Sequence, residues 1–474
     1  MTRIARRPFV TSAAGGSLLL SCARKPSFAP PNIVFIMADD LGYGELGCYG
    51  QDKIRTPNID QLAAEGMKFS DAYAGCCVCA PCRSVLMTGL HMGHTSVRSN
   101  PGGVPLLPED ETVAEYLRTA GYRNGCFGKW GLGDIGTEGV PWKQGFDEFF
   151  GYLHQAHAHY YYPHYLYKNE QQFPLEGNEG DGRGTYSHDV IADQALDFIR
   201  ANKDNRFFCY VPFTIPHSEY VVPEDSMAEY RGKFPEPEPR GDPRGRLIYQ
   251  TEPLAALAGM ITRMDRDVGR IMDLIKELGL DDNTIVFFVS DNGAAAANWT
   301  DYFNSSGGLR GTKGTMYEGG IRVPAMARWP GRIAAGSESG LPWGFWDFLP
   351  TALDLAGMES PPHADGVSLV PTLLGEGQQK QREFLYWEYP RYRNGAFLDE
   401  VPMQAARSGD WKVVRPEPGG ELELYNLAED PAEANNVAAA NAEVMARFEE
   451  FLRRARYEPR PQTQPDHIWW ERKG

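Results

Sequence analysis

The sequence lacks any apolar run close to the roughly 20 residues that a membrane-spanning helix requires, and it lacks internal repeats and low-complexity segments. Disorder is also disfavoured, because 42% of the residues are hydrophobic and 23% are charged, as in an ordinary globular protein. The length of 474 residues exceeds what one hydrophobic core usually organises. We therefore expect one large domain and a smaller one.

Basic charge is scarce in this chain. Lys and Arg number 47 against 63 Asp and Glu, which gives a formal net charge of −16 at pH 7. An acidic surface repels polyanions at long range, so nucleic-acid binding is disfavoured. An anionic substrate would need a local cluster of Lys, Arg and metal ions to overcome this field.

Evenly spread cysteine pairs, as in a disulfide framework, are also missing. Four of the eight cysteines crowd together at Cys76, Cys77, Cys79 and Cys82. The spacing of Cys79 and Cys82 is compatible with a redox pair or with half of a zinc site. No second Cys pair has the matching spacing, so both interpretations are weak.

Residues 1–22 have the pattern of an export signal. Arg3, Arg6 and Arg7 precede a mildly apolar stretch that ends at Cys22. The Arg6-Arg7 pair resembles a twin-arginine signal, and Cys22 resembles the lipidated cysteine of a bacterial lipoprotein. A basic terminus without a targeting role is the alternative. The pattern predicts export to the periplasm or the cell surface, with Cys22 as a candidate lipid anchor.

Three predicted strands end in polar residues that suit one site. The apolar runs 32–38, 284–290 and 207–213 stop at, or shortly before, Asp39-Asp40, Asp291-Asn292 and His217, respectively. In open α/β sheets ligands bind beyond the carboxyl ends of the strands. The side chains after these strands are therefore expected to lie together.

Helical and strand patterns divide the chain into two parts. Apolar residues recur at helical spacing from about 253 to 278, which predicts an α/β catalytic domain over residues 31–375. The Pro-, Glu- and Arg-rich stretch 222–247 is typical of a long surface loop. Residues 376–474 change to short strands, followed by a helix, and predict a smaller C-terminal α+β subdomain. Those strands are expected at 384–387, 411–414 and 422–425, and the helix at about 440–456.

The most specific motif runs from Cys79 to Gly89 and reads Cys-Ala-Pro-Cys-Arg-Ser-Val-Leu-Met-Thr-Gly. Pro81 suits the first turn of a helix, so Cys79 is expected at the positive helix end, where anions are stabilised. Arg83 falls one turn further along and can point back toward Cys79. On physical grounds alone this is a thiol at an anion-binding helix terminus.

The pattern Cys-x-Pro-x-Arg, followed by four residues and Thr-Gly, resembles the signature of the type I sulfatases of the alkaline phosphatase superfamily. The resemblance implies a large mixed sheet flanked by helices, and oxidation of Cys79 to formylglycine by a maturase. The hydrated aldehyde would attack sulfur with one hydroxyl, and the other would later help to expel sulfate. The resemblance extends over nearly the whole mature chain.

The same resemblance implies a metal and a set of basic groups. Asp39, Asp40, Asp291 and Asn292 match the family's ligands for calcium, and hard oxygen ligands also suit magnesium. Either acidic pair alone would more simply cap a helix. Lys129 and Lys313 resemble the two sulfate-binding lysines, and His217 resembles the histidine that contacts the scissile ester.

One position departs from the family pattern. Many members have Lys-x-His where this chain has Lys129-Trp130-Gly131, so a histidine thought to serve as a base is missing. His154, His157 and His159 follow in a Tyr-rich segment, and one of them could replace the missing base. We favour His157 and His159, because residues two positions apart share one face of an extended chain. Alternatively, these histidines contact substrate or only form hydrogen bonds at the surface.

The sequence therefore predicts a sulfuric ester hydrolase that acts on sulfated glycans or aryl sulfates. One alternative is a phosphonate monoester or phosphodiester hydrolase of the same superfamily, since a metal and an activated nucleophile serve both reactions. Another is a non-catalytic binder of sulfated glycans. Aromatic residues such as Tyr160–Tyr162 and Trp299 are candidates for stacking on sugar rings.

Overall fold

The computed structural model describes residues 28–238, 250–295, 300–393 and 396–462. In the N-terminal part the strands are β1 Asn32–Ala38, β2 Met67–Phe69, β3 Ala72–Tyr73, β4 Arg123–Lys129, β5 Glu148–Tyr152, β6 Tyr165–Lys168, β7 Gln171–Pro174, β8 Phe207–Pro212, β9 Thr284–Ser290, β10 Ala325–Arg328, β11 Ser337–Ser339 and β12 Trp343–Gly344. The C-terminal part adds β13 Leu385–Tyr389, β14 Tyr392–Arg393, β15 Ala396–Phe397, β16 Met403–Ser408, β17 Trp411–Arg415 and β18 Glu423–Asn426.

The helices are α1 Pro57–Glu65, α2 Cys79–Thr88, α3 Val113–Thr119, α4 Ser187–Ala201, α5 Glu224–Met227, α6 Pro253–Glu277, α7 Thr300–Phe303, α8 Glu318–Ile321, α9 Phe348–Leu355, α10 Val370–Leu374 and α11 Ala442–Arg454. The longest of these helices, α6, begins with Pro253. Proline suits this position because N–H groups in the first turn of a helix have no partner within the helix. Within the described ranges, no helix has the length and apolar character that crossing a membrane requires.

Ten strands form one mixed sheet in the order β11-β2-β10-β9-β1-β8-β4-β5-β6-β7. The central strands β9, β1, β8, β4 and β5 pair in parallel, whereas β10 and β6 join them antiparallel. Because β9, β1, β8 and β4 point the same way, their carboxyl ends meet at one edge of the sheet. This edge carries the polar residues that follow the strands.

Strand β1 is buried on both faces, which explains its unbroken apolar sequence. Phe35 packs in the core under α2, α3 and α9, while Ile36 packs in the core under α1, α4 and α6. Successive strand residues point to opposite faces. Layers of helices on both sides therefore exclude water from the strand.

The C-terminal part forms an antiparallel sheet in the order β13-β16-β17-β18, and α11 packs on it through Phe448 and Leu452. A buried ion cluster joins this sheet to α8 of the N-terminal part. Lys412 Nζ on β17 lies 2.8 Å from Glu318 Oε1 and 2.8 Å from Glu433 Oε1, and all three side chains are fully buried. Glu318 begins α8, shortly after the loop that carries Lys313.

The structure confirms the predicted strands at 32–38 and 284–290, the helix predicted at 253–278 to within one residue, and the three predicted C-terminal strands with small shifts. The third catalytic-domain strand ends one residue earlier than predicted, at Pro212. Strand β16 was not predicted. The loop prediction for 222–247 holds for its described part except for α5, while Cys22 and Trp299 lie outside the described residues. The division at residue 375 stays a prediction.

Candidate active site

The ends of the central strands bring the predicted acidic residues together. Ala38 pairs with Ser290, so Asp39 and Asp291 leave neighbouring strands side by side. The Asp40 N–H donates to Asp291 Oδ1 at 3.1 Å, and Asn292 Nδ2 donates to Asp40 Oδ1 at 2.8 Å. All four side chains are buried. The sequence prediction that two strand ends form one site is confirmed in its geometry.

Two consecutive aspartates face the same site because the chain turns between them. In an extended chain Asp39 and Asp40 would point to opposite sides. Asp40 instead adopts φ 65°, in the left-handed region that few residues other than glycine occupy. Backbone strain of this kind clusters at functional sites.

Cys79 is the first residue of α2 and lies over the acidic cluster. Its Sγ atom lies 3.4 Å from Asp39 Oδ1 and 3.3 Å from Lys313 Nζ. Burial, and then Asp39, raises the pKa of the thiol, so it is uncharged. In a modified chain the aldehyde of residue 79 would take the position that Sγ marks here.

The Cys82 thiol has a different partner from the Cys79 thiol. Its Sγ accepts a hydrogen bond from the Gly75 N–H at 3.2 Å. The two sulfurs therefore serve different surroundings, and the geometry supports neither a redox pair nor a zinc half-site at this spacing.

Three basic side chains surround the carboxylates. Lys129 Nζ lies 2.6 Å from Asp39 Oδ2, Lys313 Nζ lies 2.6 Å from Asp40 Oδ1, and Arg83 Nη2 donates to Asp291 Oδ2 at 2.7 Å. A second nitrogen of Arg83 donates to the Lys129 carbonyl oxygen, which ties α2 to the end of β4. This is the local cationic cluster that an acidic protein needs to hold an anion.

The acidic cluster also has the donor set for a divalent cation. Burial raises the pKa of Asp291 to about 7, and repulsion from the neighbouring carboxylate of Asp39 adds to this shift. Asn292 Oδ1 is buried and has no hydrogen-bond partner among the described residues. Carboxylate and amide oxygens with an unused lone pair are what calcium or magnesium prefers. The residues present therefore fit a hard divalent metal.

His217 completes the cluster from the loop after β8. Its Nδ1–H donates to the Ser218 carbonyl oxygen, and Nε2 lies 3.4 Å from Asp40 Oδ2. Burial, and then Lys313, lowers the pKa of His217 to about 3, which leaves the ring neutral. The Tyr161 hydroxyl contacts the His217 carbonyl oxygen. Tyr161 is fully buried, so the expectation that it stacks on a sugar ring is wrong.

The structure places His159 and His157 in different surroundings. His159 stacks on the His217 ring with centroids 4.3 Å apart, beside the site. His157 packs between the rings of Tyr152 and Tyr165. The expectation that they share one face of an extended segment is wrong, because residues 157–159 form a 3-10 turn in which two residues apart point in different directions.

Asn100 is a site residue that the sequence analysis did not predict. Its Oδ1 accepts a hydrogen bond from the Ala80 N–H at 3.2 Å, at the start of the helix that carries Cys79. The contact depends on how the loop after α2 returns, which no spacing rule predicts.

A second group with metal-ligand side chains, His91, His94 and Asp365, lies away from this site. The Gly93 N–H donates to His91 Nδ1 at 3.1 Å, so the proton of the neutral ring is on Nε2, the atom that faces Asp365. His94 Nδ1 lies 2.9 Å from both carboxylate oxygens. A hydrogen bond from His94 to Asp365 accounts for this pair without a metal ion.

Comparisons with known proteins agree with this arrangement. The family model described as Sulfatase matches residues 31–358, and the model described as N-sulphoglucosamine sulphohydrolase, C-terminal, matches residues 311–458. Human arylsulfatase A is 36% identical over 490 residues, which cover 90% of this chain and 88% of that protein. The N-acetylgalactosamine-6-sulfatase of Mus musculus is 33% identical over 389 residues, covering 76% and 69%.

Solved structures show the same architecture. The crystal structure of Ps i-CgsB has a TM-score of 0.75 and 27% identity, covering 92% of this chain and 95% of that one. Ps i-CgsB is also known in complex with k-i-k-neocarrahexaose. The fold and the site together define a sulfuric ester hydrolase with an alkaline-phosphatase-like fold. The chain belongs to the sulfatase family and is a type I sulfatase.

Proposed function

We propose that this sulfatase uses formylglycine derived from Cys79, beside a calcium ion, to hydrolyse sulfate esters of carbohydrates. The observation that carries the proposal is the position of Cys79. Its Sγ lies between Lys313 Nζ and Asp39 Oδ1, at the first residue of a helix and above a buried set of oxygen ligands. The oxidation of Cys79 to formylglycine is inferred from the resemblance of the Cys79 motif to the sulfatase signature.

Asp39, Asp40, Asp291 and Asn292 would hold the metal. When bound, calcium would polarise the sulfuryl oxygens and offset the charge of the carboxylates. Magnesium suits the same oxygens, but calcium tolerates the irregular geometry of side chains from two strand ends better than magnesium does.

The basic side chains would bind and orient the sulfate group. Lys129 and Lys313 approach the cluster from two sides, and both lie within 3 Å of a carboxylate oxygen. Arg83 holds Asp291 and the end of β4 in place. Preorganised positive charge of this kind stabilises the charge that develops at sulfur and at the departing oxygen.

The reaction would divide between residue 79 and its neighbours. A hydrated aldehyde supplies one hydroxyl that attacks sulfur and a second whose deprotonation helps to release sulfate. His217 and Lys313 both contact Asp40, and either could protonate the leaving oxygen. His159, stacked on His217, is the candidate base for the second half of the reaction.

The proposed substrate class is supported by relatives and by the export expected of the chain. One relative is named N-acetylgalactosamine-6-sulfatase, and Ps i-CgsB is known in complex with k-i-k-neocarrahexaose. We place the enzyme in the periplasm or at the cell surface, with residues 1–22 as its signal and Cys22 as a candidate anchor.

The test compares matched aryl sulfate, phosphonate and phosphate diester substrates on protein produced with and without a formylglycine-generating maturase. We expect turnover of the sulfate to dominate and to depend on the maturase. Dominant phosphonate or phosphodiester hydrolysis would contradict the proposal. Equal activity with and without the maturase would show that the reaction does not require formylglycine.

A further inference from the structure

Gly131 stands where many relatives have a histidine, yet the space beside it is filled. A Cβ atom built on Gly131 would lie 2.3 Å from Gln155 Nε2 and 3.0 Å from Gln155 Cδ. The side-chain amide of Gln155 therefore occupies the volume that a larger side chain at position 131 would enter. Gly131 also has φ 80°, which disfavours other residues.

The backbone brings Gln155 there by extending a strand pair. Beyond the ends of β4 and β5, the Trp130 N–H donates to the Tyr152 carbonyl oxygen and the Gly131 N–H donates to the Leu153 carbonyl oxygen. Two residues later the chain folds back, and Gln155 covers Gly131. The 3-10 turn that follows carries His159 against His217.

This placement puts Gln155 next to the sulfate-binding groups. Lys129 precedes Gly131 by two residues at the end of β4 and contacts Asp39. A second connection runs through the loop after α2. Asn100 Oδ1 accepts from the Ala80 N–H beside Cys79, and a Cβ atom built on Gly102 would lie 3.7 Å from Gln155 Cβ. Gln155 therefore lies between the segment that follows β4 and the loop that contacts the start of α2.

The Gln155 amide is buried and incompletely paired. Only 6% of the residue is exposed, and Nε2 has no hydrogen-bond partner within the described ranges. A buried donor without a partner is costly. Such a group in a native structure calls for an explanation, and an acceptor on a bound ligand supplies one.

We propose that Gln155 Nε2 donates a hydrogen bond to a sulfuryl oxygen of the substrate, in the space beside Gly131. The inference rests on the proposed function, since it assigns a sulfate ester to this pocket. An amide neither gains nor loses a proton near neutral pH, so Gln155 binds and orients the sulfate and leaves proton transfer to another group.

The first experiment removes the donor and keeps the volume. Gln155→Met is expected to lower kcat/KM for an aryl sulfate about 10- to 100-fold, as expected for a lost hydrogen bond to a charged group. Gln171→Met, at an exposed position on β7, is the matched control and should retain wild-type kcat/KM. The thermal midpoint of each variant reports on folding separately.

The second experiment tests the spatial relationship. In Gly131→Ala the new Cβ must displace the amide, so kcat/KM should fall as in Gln155→Ala. In a Gln155→Ala background the same change at 131 meets no amide and should cause little further loss. Additive losses would show that the two positions act independently, and would overturn the inference.

A binding measurement removes the dependence on chemistry at residue 79. Inorganic sulfate is titrated into unmodified protein, made without a maturase, by calorimetry. We expect Gln155→Met to weaken its affinity about tenfold or more relative to wild type and Gln171→Met. Wild-type activity with unchanged kcat/KM and sulfate affinity in Gln155→Met would overturn this inference alone. A wild-type enzyme that turns over no sulfate ester would overturn the proposed function with it.

Discussion

Lys313 reaches Cys79 from the loop before α8, with Nζ 3.3 Å from Sγ and 2.6 Å from Asp40 Oδ1. Although burial lowers the pKa of Lys313, the carboxylate of Asp40 raises this pKa well above its usual range, so the ammonium stays charged. Residue 79 therefore has a fixed positive charge beside it.

The first prediction separates two cysteines of one motif. Cys79→Ala should abolish turnover, because the precursor of the nucleophile is lost from a small buried side chain. Cys82→Ser should retain substantial activity, since its Sγ only accepts from the Gly75 N–H. Mass spectrometry of the wild-type peptide should show a loss of about 18 Da at Cys79, the difference between cysteine and formylglycine. Equal dependence on both cysteines would contradict this assignment.

The second prediction concerns the metal. Excess EDTA should lower activity, and calcium should restore it. Asp291→Ala removes a ligand and a charge from the cluster and leaves Arg83 without its 2.7 Å partner, so added calcium should not rescue it. Elemental analysis of wild type and variant gives the metal content directly. A fully active preparation without metal would show that the oxygen cluster has another role.

The third prediction uses the different surroundings of two histidines. His159→Asn should slow sulfate release more than the first step, and after rapid quenching the peptide with residue 79 should retain sulfate mass. His157→Phe replaces a ring packed between Tyr152 and Tyr165 and serves as the control for local packing. If His157→Phe accumulates sulfate and His159→Asn does not, the assignment of the base is wrong.

The fourth prediction is a pH dependence of stability. Burial lowers the pKa of His91 to about 4, from an ordinary value of 6.5. Between these pKa values the unfolded chain binds a proton at His91 that the folded chain does not bind. The free energy of unfolding therefore decreases as pH falls from 6.5 toward 4. From pH 7.5 to pH 5 this contribution is about 2 kcal/mol. Chemical denaturation should show a smaller acid loss in His91→Asn, and an unchanged loss would contradict the assignment to His91.

The sequence reveals the catalytic edge of the sheet because parallel strands end together. Apolar runs that stop at Asp39 and Asp291 predict neighbouring strand ends, and the register of β1 and β9 realises that expectation. The Cys79 motif likewise predicts helix α2, because Pro81 suits the first turn of a helix. Contacts within or next to a regular element follow from periodicity.

Contacts made by loops do not follow in this way. The missing histidine at Gly131 is visible in the sequence, but the amide of Gln155 beside it depends on a fold-back after β5. The turn at residues 157–159 separates two histidines that an extended chain would align. Strand β16 has the sequence Met-Gln-Ala-Ala-Arg-Ser and lacks β-branched and aromatic residues. Its formation therefore depends on pairing with neighbouring strands, which its composition does not predict.

The link between the C-terminal sheet and the loop of Lys313 should be indifferent to ionic strength. Lys412, Glu318 and Glu433 are fully buried, so dissolved ions have no access to the space between their charges. An exposed pair such as Lys68 with Glu338 is screened as salt rises. The Glu318 end of the segment that carries Lys313 is therefore held by contacts that added salt weakens far less than it weakens an exposed pair.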